Sequence, residues 1–170
     1  MYRRLILTIC SLLSVFSLTA QAGEESQNRP VPACQLNNLD NQDHYDMQRF
    51  KGKVVYVDFW ASWCGPCVES FPYMNKLNNE LKDKGLQVIG VNLDENSDDA
   101  ITFLKTTPAQ FLVAADTGAQ CAKDFGVKAM PSTYLVDRKG VVREVHYGFR
   151  AGEAEEFRGK VEQLLAEPAE

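Results

Sequence analysis

The stretch from Lys53 to Phe59 is a β-branched and aromatic run, too apolar to leave one face of a strand in water. Such a strand must be covered on both sides, which places it at the centre of a sheet with helices above and below. It leads within a few residues into Trp63-Cys64-Gly65-Pro66-Cys67, and from Pro66 the spacing predicts a helix with Phe71, Met74, Leu77 and Leu81 on one face. Pro72 is expected to bend that helix and Gly85 to close it.

The rest of the chain alternates in the same way. Leu86 to Leu93 reads as a second buried strand, followed by a helix from Ser97-Asp98-Asp99, with Ser97 as cap, to about Thr106. Phe111 to Ala114 is a short strand, Thr117 to Phe125 a helix ending at Gly126, and Ser132 to Val136 and Val141 to Tyr147 are strands joined by the turn Asp137 to Gly140. Glu153 to Leu165 is a terminal amphipathic helix. Ahead of the central strand, Ala33 to Leu36 and the region around His44 pair as a hairpin across the turn Asn37 to Asn41. The order requires parallel pairing early and antiparallel pairing late, a mixed α/β sheet in one domain spanning residues 30–166, after a polar leader at 23–29 and before a tail at 167–170.

The N-terminus sets the compartment. Arg3 and Arg4 precede an uncharged stretch from Leu5 to Ala20, and Ala20-Gln21-Ala22 offers small residues at both positions read by a signal peptidase. Residues 1–22 are therefore expected to be a cleaved signal peptide; the alternative is a retained anchor, for which the stretch is short and interrupted by Ser11, Ser14, Ser17 and Thr19. Cleavage leaves no membrane span. It also removes Cys10 and leaves Cys34, Cys64, Cys67 and Cys121, an even set in an oxidising space. A formal charge of −5 without a long Lys/Arg run excludes a phosphate-backbone footprint, so nucleic acid is not an expected partner.

The chemistry concentrates at Cys64 and Cys67. Where a buried strand turns into a helix, the first sulfur lies at the helix N-terminus, beside unpaired amides and the positive dipole end, which favours thiolate. Two cysteines separated by Gly65 and Pro66 can alternate between dithiol and disulfide without large backbone movement. The same spacing serves zinc ribbons, but a zinc site needs two further ligands, and Cys34 and Cys121 are isolated from each other and from any local His; a purely structural bridge is the other alternative. His44 and His146 carry no metal-ligand spacing, so no metal is expected, and no cofactor is called for.

From Val57 to Cys67 the sequence resembles the thioredoxin active-site segment, and Met130-Pro131-Ser132-Thr133 resembles that family's cis-proline loop. The hairpin lead-in, the approach from Phe50 to Val55, Phe71-Pro72 and the Tyr134 to Gly140 segment are closer to the exported TlpA/ResA-like branch, and the likeness covers residues 31–166. It implies a thioredoxin fold, with a central mixed sheet flanked by helices and the N-terminal hairpin as an extension. It further implies a periplasmic thiol:disulfide oxidoreductase, kept reduced by a membrane electron donor of the CcdA or DsbD type and acting on exported proteins with disulfides. On this reading Cys64 attacks and Cys67 resolves, Asp58 is the base for Cys67, and Trp63, Gly65, Pro66, Met130 and a cis Pro131 form the substrate-binding surface. Gly-Pro between the cysteines, as in thioredoxin, favours a reductant.

The chain departs from that branch in two places. Ser70 stands where ResA-like members have a glutamate, and Ser132 where cytochrome c maturation members have an acidic residue after the proline. Glu69, one position from the missing acid, is expected to point to the surface. A different class of function also fits the scaffold, a chaperone or a copper-binding protein using the same thiols, since soft thiolates suit Cu(I). Cys34 and Cys121 are either a structural disulfide tying the hairpin to the domain or two small buried hydrophobes.

Overall fold

A computed structural model describes residues 27–40 and 42–168. The segment expected to be a signal peptide, most of the polar leader and the last two residues lie outside the described residues. Strands β1 (Arg29–Pro30), β2 (Gln35–Asn37), β3 (His44–Asp46), β4 (Val54–Trp60), β5 (Leu86–Asn92), β6 (Leu112–Ala115), β7 (Ser132–Val136) and β8 (Val141–Tyr147) form a single sheet. Its order is β1-β8-β7-β4-β5-β6-β2-β3. The helices are α1 (Gly65–Leu81), α2 (Ser97–Thr106), α3 (Gln120–Phe125) and α4 (Ala154–Ala166).

Every residue of β4 is buried, as its composition demands. It pairs parallel with β5 along its whole length and antiparallel with β7. Period-two alternation then sorts its side chains. Val55, Val57 and Phe59 enter a core with Leu36, Phe125 and Tyr134, whereas Val54, Tyr56 and Trp60 enter a second core with Cys67, Phe71, Met74 and Leu77 of α1 and Phe157 and Val161 of α4. Asp58 belongs by the same parity to the α1/α4 side. The sheet is thus clasped between two apolar layers, and the cysteine helix lies on the layer that Asp58 faces.

The hairpin β2–β3 forms, with Asn37, expected in the turn, paired instead with His44 at the end of β2. It is less an appendage than a continuation of the sheet, because Asn37 pairs with Ala115 of β6. Three details differ from the expectations. Asn96, not Ser97, caps α2, its side chain accepting from the Asp98 amide. Helix α3 starts at Gln120 instead of Thr117, since Ala119 takes a left-handed conformation (φ 50°) and Asp116 accepts from the Ala122 amide at 2.8 Å. Finally, Arg29 and Pro30, at the junction of the leader and the domain, form a strand against Val141 and Val142. The Arg29 guanidinium fastens that strand by donating to the Phe125 carbonyl at 2.6 Å.

Candidate active site

At the C-terminal end of β4 the chain leaves the sheet through Ala61, Ser62 and Trp63, and Cys64 occupies the cap position of α1 with extended backbone (φ −85°, ψ 99°). Proline at the second helical position suits that start, because its missing N–H is one of the amides a helix leaves unpaired. The Cys64 and Cys67 sulfurs are bonded at 2.04 Å with their Cα atoms 5.3 Å apart. Cys67 is fully enclosed and Cys64 is 5% exposed, so access to the pair is from the Cys64 side. Trp63 beside it is 72% exposed, and Gly65, Pro66 and Val68 are also at the surface. A large indole turned into solvent next to a sulfur is an apolar platform, whereas Trp60 three residues earlier is buried edge-on to Phe71 at 5.0 Å.

The turn carrying Cys64 is braced from β5. Buried Asp94 accepts from the Ser62 amide at 3.0 Å, from the Ser62 hydroxyl at 3.0 Å and from the Asn92 amide group at 2.8 Å. A carboxylate held this way fixes the backbone two residues before the sulfur. On the other flank the Met130–Pro131 peptide is cis, and Met130 packs against the apolar layer that includes both active-site cysteines. The Pro131 carbonyl accepts from the Gly148 amide at 2.7 Å, which ties this loop to the end of β8.

Asp58 lies in β4, on the side of the sheet that α1 covers, and is completely buried. Burial pushes its carboxyl up to about 7, while the Thr133 hydroxyl, donating to Oδ1 at 2.6 Å, opposes that rise. Oδ2 is buried without a hydrogen-bond partner. A carboxyl poised near neutrality with one oxygen free suits proton transfer. Ser70 is buried and turns its hydroxyl back to the Cys67 carbonyl at 3.0 Å, and Glu69 is exposed. His146 pairs with Glu153 at 3.3 Å, and His44 contacts the Asn37 side chain at 2.6 Å. No group of three metal-ligating side chains occurs among the described residues.

Away from this site, Cys34 and Cys121 are bonded at 2.02 Å with Cα atoms 5.2 Å apart. Both lie in the core layer opposite α1. Neither the Asp94 brace nor the contact of Thr133 with Asp58 was expected from the sequence, where Thr133 entered as the last residue of the Met130 to Thr133 loop. Each acts through strand register, Thr133 opposite Asp58 and Asp94 just past β5, and no local motif marks such long-range pairings.

A mixed sheet with a cysteine pair opening the helix after its central strand defines the class, a thiol:disulfide oxidoreductase of thioredoxin fold. The chain belongs to the Redoxin family, whose profile matches residues 26–163. It is 32% identical over 142 residues to the thiol-disulfide oxidoreductase ResA of Bacillus thuringiensis subsp. konkukian, covering 83% of this chain and 79% of that protein. Among solved structures it resembles a protein assigned as thiol:disulfide interchange protein DsbE from Chlorobium tepidum, with TM-score 0.78, 41% identity, and 82% of this chain and 98% of the other covered. It also resembles the exposed lipoprotein thioredoxin of Streptococcus pneumoniae TIGR4, with TM-score 0.67, 26% identity, and 77% and 98% of the two chains covered.

Proposed function

We propose that this protein is a periplasmic reductant of exported protein disulfides, working through the Cys64/Cys67 dithiol–disulfide couple. The observation that carries the reading is the placement of Cys64, at the cap of α1 and beside exposed Trp63, over an enclosed Cys67 and a buried carboxyl. The signal-like segment at 1–22 supports export, as does similarity to a relative described as an exposed lipoprotein.

In the reaction, the Cys64 thiolate attacks one sulfur of a substrate disulfide. That S–S bond breaks, a mixed disulfide forms, and the departing substrate thiolate takes a proton from water. Cys67 then gives its proton to Asp58 and attacks the Cys64 sulfur, releasing the second substrate thiolate. The substrate gains two electrons and the enzyme is left as the Cys64–Cys67 disulfide. Trp63, Gly65, Pro66, Met130 and Pro131 supply the surface against which an extended substrate segment lies, and a membrane donor of the CcdA or DsbD type returns the electrons.

The test is a redox titration against glutathione joined to trapping. A potential near thioredoxin's, about −270 mV, supports a reductant, and one near about −120 mV rejects it. Cys67→Ser expressed in the exporting host should accumulate mixed disulfides with exported proteins that dithiothreitol releases, and none should form with Cys64→Ser.

A further inference from the structure

The Asp58 carboxyl receives one hydrogen bond among the described residues, and it comes from Thr133. The pairing is set by the sheet, since Asp58 and Thr133 are register partners across β4 and β7. On the other side, Asp58 pairs with Gly90 of β5, a position with no side chain, where an added Cβ would lie 2.8 Å from Phe111 and 3.1 Å from the Trp60 indole nitrogen. Nothing charged can therefore reach the carboxyl from its β5 partner. The groups that share this face are Tyr56 on β4, Cys67 and Tyr73 on α1, His146 on β8, and Arg150 and Glu153 beyond it; Tyr56, Tyr73, Thr133, His146, Arg150 and Glu153 line one small cavity.

Within that set the Thr133 hydroxyl has a defined direction. It has one proton to donate. Its 2.6 Å approach to Asp58 Oδ1 commits that proton to an ionised carboxyl, and its 3.4 Å contact with the Tyr56 hydroxyl is then one in which Tyr56 donates. Burial first, and then the charge of Asp58, push the Tyr56 phenol well above its ordinary value, so it remains a donor. The Tyr56 hydroxyl thus backs Thr133, whose hydroxyl donates to Asp58 Oδ1, and Oδ2 is left unpartnered.

We propose that Thr133, backed by Tyr56, is a positioning residue for the resolving step: its hydroxyl holds Asp58 Oδ1, favours the carboxylate, and so sets the pH at which Cys67 can be deprotonated. The proposal rests on Asp58 being the base for Cys67. A protonated Asp58 cannot accept the proton, so resolution speeds up as pH rises through the Asp58 titration, and removing a donor to the carboxylate moves that midpoint upward.

The experiment measures single-turnover resolution of a Cys64 mixed disulfide against pH, in purified full-length protein and its Thr133→Val, Thr133→Ser and Asp58→Asn variants. Infrared difference spectroscopy follows the buried carboxyl of the oxidised protein over the same range and reads Asp58 without turnover. Thr133→Val should raise both midpoints by about one pH unit, and Thr133→Ser, which keeps the hydroxyl, should restore them. Asp58→Asn should abolish the inflection and the carboxyl band. If Asp58→Asn abolishes the inflection while Thr133→Val leaves both midpoints in place, the role of Thr133 is overturned and Asp58 remains the base. Should the inflection survive Asp58→Asn unchanged, Asp58 is not the base and both readings fall.

Discussion

At the scale of single residues, Asp58, the proposed base for Cys67, carries a cost in stability. In the unfolded chain its carboxyl titrates near 3.8, and in the fold burial raises it to about 7. Below pH 3.8 both states are protonated and nothing is lost. Between the two values the unfolded chain ionises while the folded one does not, so stability falls as pH rises, and above about pH 7 the deficit is constant. A difference of this size is on the order of 4 kcal/mol. Asp58→Asn removes the titration while keeping the shape. The oxidised variant should therefore match the parent near pH 4 and exceed it by several degrees in Tm at pH 8. Equal pH dependence of Tm in the two proteins would show that Asp58 is not the strained group. The place of this residue in a buried central strand was legible in the sequence, since the apolar run from Lys53 to Phe59 carries it. Its environment was not, since Thr133, the one donor to its carboxyl among the described residues, is 75 positions away and is brought in by register alone.

At the scale of elements, what was legible followed periodicity, and what was missed followed contact. The strand β4 and helix α1 announced themselves through composition and spacing, and so did the late hairpin β7–β8. Strand β1 is only two residues long and exists because β8 offers it an edge, an effect no local pattern encodes. The start of α3 depended on the left-handed Ala119 and the Asp116 cap, which a helix-forming composition from Thr117 conceals. The bond between Cys34, just ahead of β2, and Cys121 of α3 belongs to the same group, because sequence supplies two apolar positions and no separation between them. Spanning 87 residues, the bridge limits the unfolded chain by on the order of 4 kcal/mol in the chain-entropy account. The Cys34→Ala, Cys121→Ala variant should lose close to that amount of unfolding free energy, read as a lower urea midpoint, with insulin-disulfide reduction per folded molecule retained. A midpoint within experimental error of the parent would mean that the bridge constrains nothing the sheet does not already hold.

At the scale of the whole molecule, the direction of electron flow is a statement about the relative stability of two folded forms. A strong oxidant of this fold class owes its potential to a reduced state stabilised through its thiolate, which makes its disulfide form the less stable one. Here the surroundings of Cys64 supply little such stabilisation. The first turn of α1 carries no charged residue, Gly65 and Pro66 contribute no polar side chain, and Cys64 itself is mostly covered. In that turn the dipole end of α1 is what favours a thiolate at Cys64. Meanwhile Asp58, in the reduced protein, must coexist with a buried Cys67 thiol in the same apolar layer, and ionising either burdens the other. Both effects favour the disulfide form. For a two-electron couple, 1.4 kcal/mol of preference corresponds to about 30 mV. The oxidised protein is therefore expected to unfold at higher denaturant than the form reduced at Cys64 and Cys67. The Cys64→Ser, Cys67→Ser variant, compared with and without reductant, separates out any contribution of the Cys34–Cys121 bridge. A reduced form more stable than the oxidised one, after that correction, would mark the protein as an oxidant and reverse the proposed flow of electrons.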